Sequence, residues 1–91
     1  MNNIAYRLKI FGNVQGVGYR NWLRKRALEA AITGWVRNCA DYTVEALIEG
    51  KKDAINKVIE DCANGPKFAK VTRIEKRRVE PEGFREFTIK R

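Results

Sequence analysis

The chain contains no histidine among its 91 residues. The side chain that most often serves as a general base near neutral pH, and most often ligates a metal, is therefore missing. A histidine-based catalytic triad and a histidine-ligated zinc site are both excluded. Cysteine is nearly as scarce: Cys39 and Cys62 stand too far apart for a metal knuckle or a redox C-x-x-C. Two such thiols in a cytoplasmic chain read as free and reduced, and neither a metal nor a cofactor is expected. Long apolar runs are absent, so nothing approaches the roughly 20 residues a membrane-spanning helix needs. The opening Met1-Asn2-Asn3-Ile4 lacks the basic and apolar regions of a secretory signal, and Arg7 and Lys9 break up the next apolar residues. The expected location is the cytoplasm.

Acidic side chains are the remaining shortage. Eleven Asp and Glu face nineteen Lys and Arg, for a formal net charge of +8. Such a surplus attracts anions, whether nucleic acid, anionic lipid or small phosphorylated metabolites, and composition does not choose among them. The rest is ordinary. A hydrophobic fraction of 44% and an aromatic fraction of 10% suffice for one core and are too high for a disordered chain. A single domain over residues 1–91 is expected.

Ile4 to Phe11 alternates, with Tyr6, Leu8 and Ile10 on one side and Arg7, Lys9 and Phe11 on the other. That predicts a strand with one buried face. From Tyr19 the period lengthens. Tyr19, Trp22, Leu23, Ala27, Ala30 and Ala31 are spaced for a helix, with Gly34 suited to the left-handed position that closes it. Trp35 to Asn38 and Thr43 to Glu49 predict two short strands around a tight turn at Cys39-Ala40-Asp41-Tyr42. Lys51 to Ala63 predicts a second helix, with Ala54, Ile55, Val58, Ile59 and Cys62 on one stripe, stopped by Asn64-Gly65-Pro66. Phe68 to Val79 predicts a basic strand and Phe84 to Lys90 a last one, about a turn at Pro81-Glu82-Gly83. The order β-α-β-β-α-β plus a C-terminal strand predicts an α+β, ferredoxin-like sandwich, a split βαβ with two helices on one face of a mostly antiparallel sheet.

Three glycines, Gly12, Gly16 and Gly18, crowd the link between the first strand and the first helix. Glycines let successive backbone N–H groups converge on one anion, and a helix after them adds its unpaired N-terminal donors. This helix also lacks a Ser, Thr or Asp cap, leaving some of those amides free. Equally, the glycines could serve only the backbone angles of a tight turn. A dinucleotide fingerprint fails because Asn21 stands where its third glycine belongs, and the Walker lysine is absent. Arg20, at the loop–helix junction, could turn its guanidinium over the cradle and hold a phosphoryl group bidentately. Read alone, it is also a solvated helix residue among Arg24, Lys25 and Arg26. Asn38 could aim a neutral amide at a water, or simply form the turn after its strand.

Taken together, these segments resemble a known family. Gly12-Asn13-Val14-Gln15-Gly16-Val17-Gly18-Tyr19-Arg20 and Gly34-Trp35-Val36-Arg37-Asn38 resemble the two sequence signatures of the acylphosphatases. The likeness runs on through Thr43-Val44-Glu45, Glu49-Gly50, Gly65-Pro66 with Ala69 and Val71, and Phe87-Thr88-Ile89-Lys90-Arg91. The resemblance implies hydrolysis of the carboxyl–phosphate bond of a small acyl phosphate, releasing a carboxylate and inorganic phosphate, with neither metal nor covalent intermediate. It implies that Gly12, Val14, Gln15, Gly16, Val17, Gly18, Tyr19 and Arg20 form the phosphate-binding loop, and that Asn38 positions the attacking water. It also implies the ferredoxin-like sandwich. Nothing in the sequence demands more than a monomer, and neither a specific nucleic-acid partner nor a membrane is expected. Elementary chemistry agrees. A carboxylate leaving group, with a conjugate-acid pKa of roughly 4, departs at neutral pH without a general acid, so no histidine is needed.

Two rival readings use the same fold. A basic ferredoxin-like sheet is the profile of an RNA-recognition domain, yet Thr43-Val44-Glu45-Ala46-Leu47-Ile48-Glu49 carries acids where that domain needs aromatics. A regulatory module without catalysis would have no chemical need for both Arg20 and Asn38. One departure from the family stands out. Tyr42 occupies the place of a usual glycine four residues after Asn38, and tyrosine resists positive φ. Either the turn differs in type or strain is held there. Cys39 has no histidine or lysine arranged to lower its pKa, so it does not read as a nucleophile.

Overall fold

The computed structural model describes residues 2–90. In chain order it contains β1 (Ile4–Asn13), α1 (Tyr19–Glu29), β2 (Thr33–Asn38), β3 (Val44–Gly50), α2 (Lys52–Asn64), β4 (Lys70–Val79) and β5 (Phe87–Ile89). The strands form one sheet in the order β4-β1-β3-β2-β5. β1 pairs antiparallel with β3 and β4, β2 pairs antiparallel with β3, and β5 runs parallel to β2. The expected α+β sandwich is present, with two helices on a mostly antiparallel sheet.

Register explains which face the helices cover. Leu8 stands opposite Ala46, Ile10 opposite Val44, and Val36 opposite Ala46, so these side chains share one face. They pack with Leu23 and Ala27 of α1 and Ile55, Val58 and Cys62 of α2. The buried residues of α1, Tyr19, Leu23 and Ala27, recur every four positions and form the stripe that its sequence spacing predicts. Cys62 is fully enclosed, and burial pushes its thiol up to about 12, which keeps it protonated near neutral pH. The opposite face carries no helix. There the Glu45 carboxylate accepts hydrogen bonds from Arg7 Nε at 2.7 Å and from Arg37 Nη2 at 2.6 Å.

Several boundaries differ from those the sequence suggests by a residue or two, and two differences have a clear tertiary cause. α1 ends at Glu29, and Ala31, with φ 57°, takes the left-handed position expected of Gly34. The reason is tertiary. Ile32 N–H donates back to Ala27 O at 2.8 Å, and Gly34 is already inside β2. A Cβ on Gly34, at φ 134°, would overlap Leu47 O, so glycine is needed where two strands touch rather than where a helix stops. The last strand is also shorter, Phe87–Ile89 rather than Phe84–Lys90. Glu49, only 3% exposed, accepts hydrogen bonds from Glu82 N–H at 2.7 Å and Gly83 N–H at 2.9 Å, tying the preceding segment to a side chain. Arg24 Nε donates to Phe87 O at 3.1 Å and fixes β5 against α1.

The Gly34 contact is testable. Gly34→Ala is expected to cost at least about 1–3 kcal/mol from backbone strain alone, with the clash against Leu47 O added. The measurement is the denaturant midpoint at unchanged m-value, and a midpoint equal to the parent's would show that the strands can separate to admit a Cβ.

Candidate active site

At the end of β1, the register against β4 shifts between Phe11 and Gly12. A Cβ on Gly12 would overlap Lys70 O, so this glycine serves the sheet and does not line the cleft at the end of the strand. Val14 is buried and pins the start of the loop. Gly16 and Gly18 then adopt φ 74° and 80°, and among the described residues nothing beyond their chain neighbours lies within 4 Å of where their Cβ atoms would project. Here glycine supplies the backbone angle beside open space. Among the described residues, no backbone N–H from Gln15 to Gly18 has a protein acceptor. Gly18 is also the N-cap of α1, and no side chain caps that helix. The loop therefore presents a run of available donors ahead of a helix N-terminus, an arrangement that favours an anion.

Tyr19 holds this edge in place. Its ring is buried and its O–H donates to Cys62 O on α2 at 2.7 Å. Burial drives the phenol well above its ordinary pKa, so it remains a neutral donor. Arg20 comes next, on the first turn of α1, and Asn38 ends β2 on the helix-covered side, opposite Val44. A cleft of about 170 Å³ lies between them, lined by Val14, Gly16, Gly18, Tyr19, Arg20, Asn21, Asn38 and Ile89. Asn38 Oδ1 is buried and has no hydrogen-bond partner among the described residues. An acceptor in that state is costly to enclose unless water or ligand reaches it.

Most of the expected residues thus share one cleft. Three do not project into it. Gly12 lies at the bulge, and Val17 packs against the edge of the core. The Gln15 side chain turns the other way, with Nε2 donating to Cys39 O and Thr43 O, both at 2.9 Å. Two lining residues, Asn21 and Ile89, are not among those the sequence singles out. Asn21 is legible as the residue after Arg20 on the first helical turn. Ile89 is not, because its approach depends on β5 lying parallel to β2, with Ile89 opposite Val36.

The β2–β3 turn beside Asn38 is braced at several points. Cys39 N–H donates to Thr43 O at 2.9 Å, and Tyr42 N–H donates to Cys39 O at 3.1 Å. The Asp41 carboxylate accepts from Thr43 Oγ1 at 2.5 Å and pairs with Lys9 at 3.0 Å. The bond from Thr43, and after it the one from Lys9, lowers the Asp41 pKa to about 2. A depressed carboxyl pKa favours the folded state above the unfolded value, so this brace is lost only as pH falls through about 2.

A family model described as acylphosphatase matches residues 6–89. The chain is 42% identical over 89 residues to an acylphosphatase of Thermococcus kodakarensis, covering 98% of each. It is 45% identical over 83 residues to that of Chloroflexus aurantiacus, covering 91% of this chain and 90% of the relative. Among solved structures it resembles the acylphosphatase from Bacillus subtilis, with a TM-score of 0.94 and 37% identity over 97% of this chain and 99% of that one.

Tyr42 is held at φ 69°, so the strain that its place in the sequence suggests is present. Its side chain is 77% exposed and gains little packing in return. Tyr42→Gly should remove strain of about 1–3 kcal/mol against about 0.4–1 kcal/mol of added unfolded-state entropy. The expected result is a neutral to raised denaturant midpoint with turnover kept or increased. A clear loss of stability would show that the ring packs.

Proposed function

Since the chain belongs to the acylphosphatase family, we propose that it hydrolyses small acyl phosphates to a carboxylate and inorganic phosphate, without metal or covalent intermediate. The observation that carries this reading is Asn38, which lines the same cleft as Arg20, Gly16 and Gly18 and whose buried Oδ1 has no partner among the described residues. In the proposed reaction the free loop amides and the Arg20 guanidinium hold the phosphoryl oxygens. The Asn38 side-chain amide hydrogen-bonds the attacking water and orients its lone pair toward phosphorus. The P–O bond to the acyl group breaks as the new P–O bond forms, and the carboxylate leaves with the bonding pair. The water's proton passes to a phosphoryl oxygen of the substrate.

Positioning and charge stabilisation are most of what such a transfer needs, because its transition state is loose and spreads charge over the equatorial oxygens. The carboxylate leaving group requires no acid, which suits a cleft lined by arginine, asparagine and backbone. The protein is proposed to act as a cytoplasmic monomer. The rival RNA-binding reading finds little support on the helix-free face. Trp35 is only 8% exposed there, and Lys90 stands 4.3 Å from its ring, with Arg37 at 5.4 Å. Cations already occupy the position a base would need for stacking.

The test is phosphate release from an acyl phosphate beside a phosphate monoester, each with a chelator present. Release from the first alone, insensitive to chelator, is expected. Arg20→Ala should lower turnover by about 10²–10³, by analogy with a lost oxyanion donor. Arg20→Lys should restore little, since a point charge cannot replace the guanidinium fork. Asn38→Ala should lower kcat while leaving inhibition by inorganic phosphate largely intact. Loss of phosphate inhibition in Asn38→Ala would move this residue to the phosphate side of the site, and parental turnover in Arg20→Ala would overturn its assignment.

A further inference from the structure

We propose that Gln15 is a positioning residue: by clasping the β2–β3 turn to the phosphate loop, it fixes the aim of Asn38. The inference rests on the proposed role of Asn38 in holding the attacking water. Gln15 stands one residue before Gly16, yet its side chain leaves the cleft and enters the mouth of the hairpin. Nε2 lies 2.9 Å from Cys39 O and 2.9 Å from Thr43 O. A primary amide has two hydrogens on one nitrogen, and both are used. Cys39 directly succeeds Asn38, and Thr43 directly precedes Val44, the cross-strand partner of Asn38. The two carbonyls therefore flank the residue pair that sets where Asn38 points.

This clasp is the short route between the two halves of the site. Through the backbone, the loop reaches Asn38 only by way of β1, β3 and the β2–β3 pairing. The Asp41–Lys9 pair braces the turn from β1 and does not touch the loop. A turn that holds Tyr42 at φ 69° also has a reason to relax, and the donors of Gln15 oppose that. The chemistry is specific. A methionine of similar length offers no hydrogens, and an ionised glutamate would set an oxygen against two carbonyl oxygens.

The experiment uses the full chain, acetyl phosphate as substrate and inorganic phosphate as competitive inhibitor. Gln15→Met should lower kcat about tenfold to a hundredfold. The phosphate inhibition constant should stay within about twofold of the parent's. In an Asn38→Ala background, Gln15→Met should lower kcat no further, because the two residues act through one water. In Gln15→Glu, kcat relative to the parent's should rise as pH falls through the carboxyl titration, since the protonated carboxyl regains one donor to the turn. The Glu variant also gives a reading should Gln15→Met fail to fold. A parental kcat in Gln15→Met would overturn the proposal. So would equal losses of kcat and phosphate affinity, an additive loss in the double variant, or a Gln15→Glu profile parallel to the parent's. A parental kcat in Asn38→Ala would overturn the catalytic reading itself, and this proposal with it.

Discussion

A loop whose main-chain N–H groups have no acceptors among the described residues imposes a constraint on everything around it: those donors must be fixed in space without pairing. Secondary structure normally fixes a backbone by pairing it, and that route is closed between Gln15 and Gly18. The chain fixes the loop by its side chains instead. Val14 is buried at one end, Tyr19 is bonded to Cys62 O at the other, and Val17 packs against the core between them. Gln15 adds the tie to the hairpin. The loop is therefore anchored residue by residue, with Gly16 and Gly18 left as the points that face open space.

The same constraint accounts for how the excess positive charge is arranged. On the helix-free face several cations stand against carboxylates: Glu45 between Arg7 and Arg37, Arg73 against Glu75. A groove of about 280 Å³ there is of mixed sign with cations in excess, Arg7, Lys9, Lys76 and Arg77 against Glu45 and Glu75. In the cleft the charged side chain is Arg20, with amides and asparagines about it. A surface of mixed charge does little to select a phosphoryl group, whereas one guanidinium among uncommitted donors does.

How much of this the sequence discloses depends on the range of the interaction concerned. The strand period of β1, the stripe of α1 and the glycine-rich junction are local, and each is legible. Arg20 and Asn38 are legible through the motifs that contain them, and the fold joins them in one cleft. The requirement for Gly34 is not, because it comes from Leu47 O on the neighbouring strand, a contact with no local trace. Ala31 takes the left-handed turn although an alanine there gives no sign of it. Phe84 to Glu86 has the composition of a strand, and Glu49, distant in sequence, fixes the preceding segment otherwise. The Gln15 side chain reads as part of the loop to which it is bonded covalently, although its partners lie on the hairpin.

Cys39 illustrates the difference between a position that matters and a side chain that does. It adjoins Asn38, and its thiol invites a chemical role. The bonds that hold the turn at this position are made by its backbone: the carbonyl accepts from Gln15 Nε2 and Tyr42 N–H, and its own N–H donates to Thr43 O. Two donors occupy both lone pairs of that carbonyl, so it has no capacity left for a ligand. Asn38 is the reverse, with its backbone committed to β3 and its side-chain oxygen unpartnered. Adjacent residues thus divide the work, one holding the turn through its main chain so that the other can present an amide to the cleft. Among the described residues, the uncommitted hydrogen-bonding capacity at this end of the sheet lies on the Asn38 side chain, and the Cys39 carbonyl has none to spare.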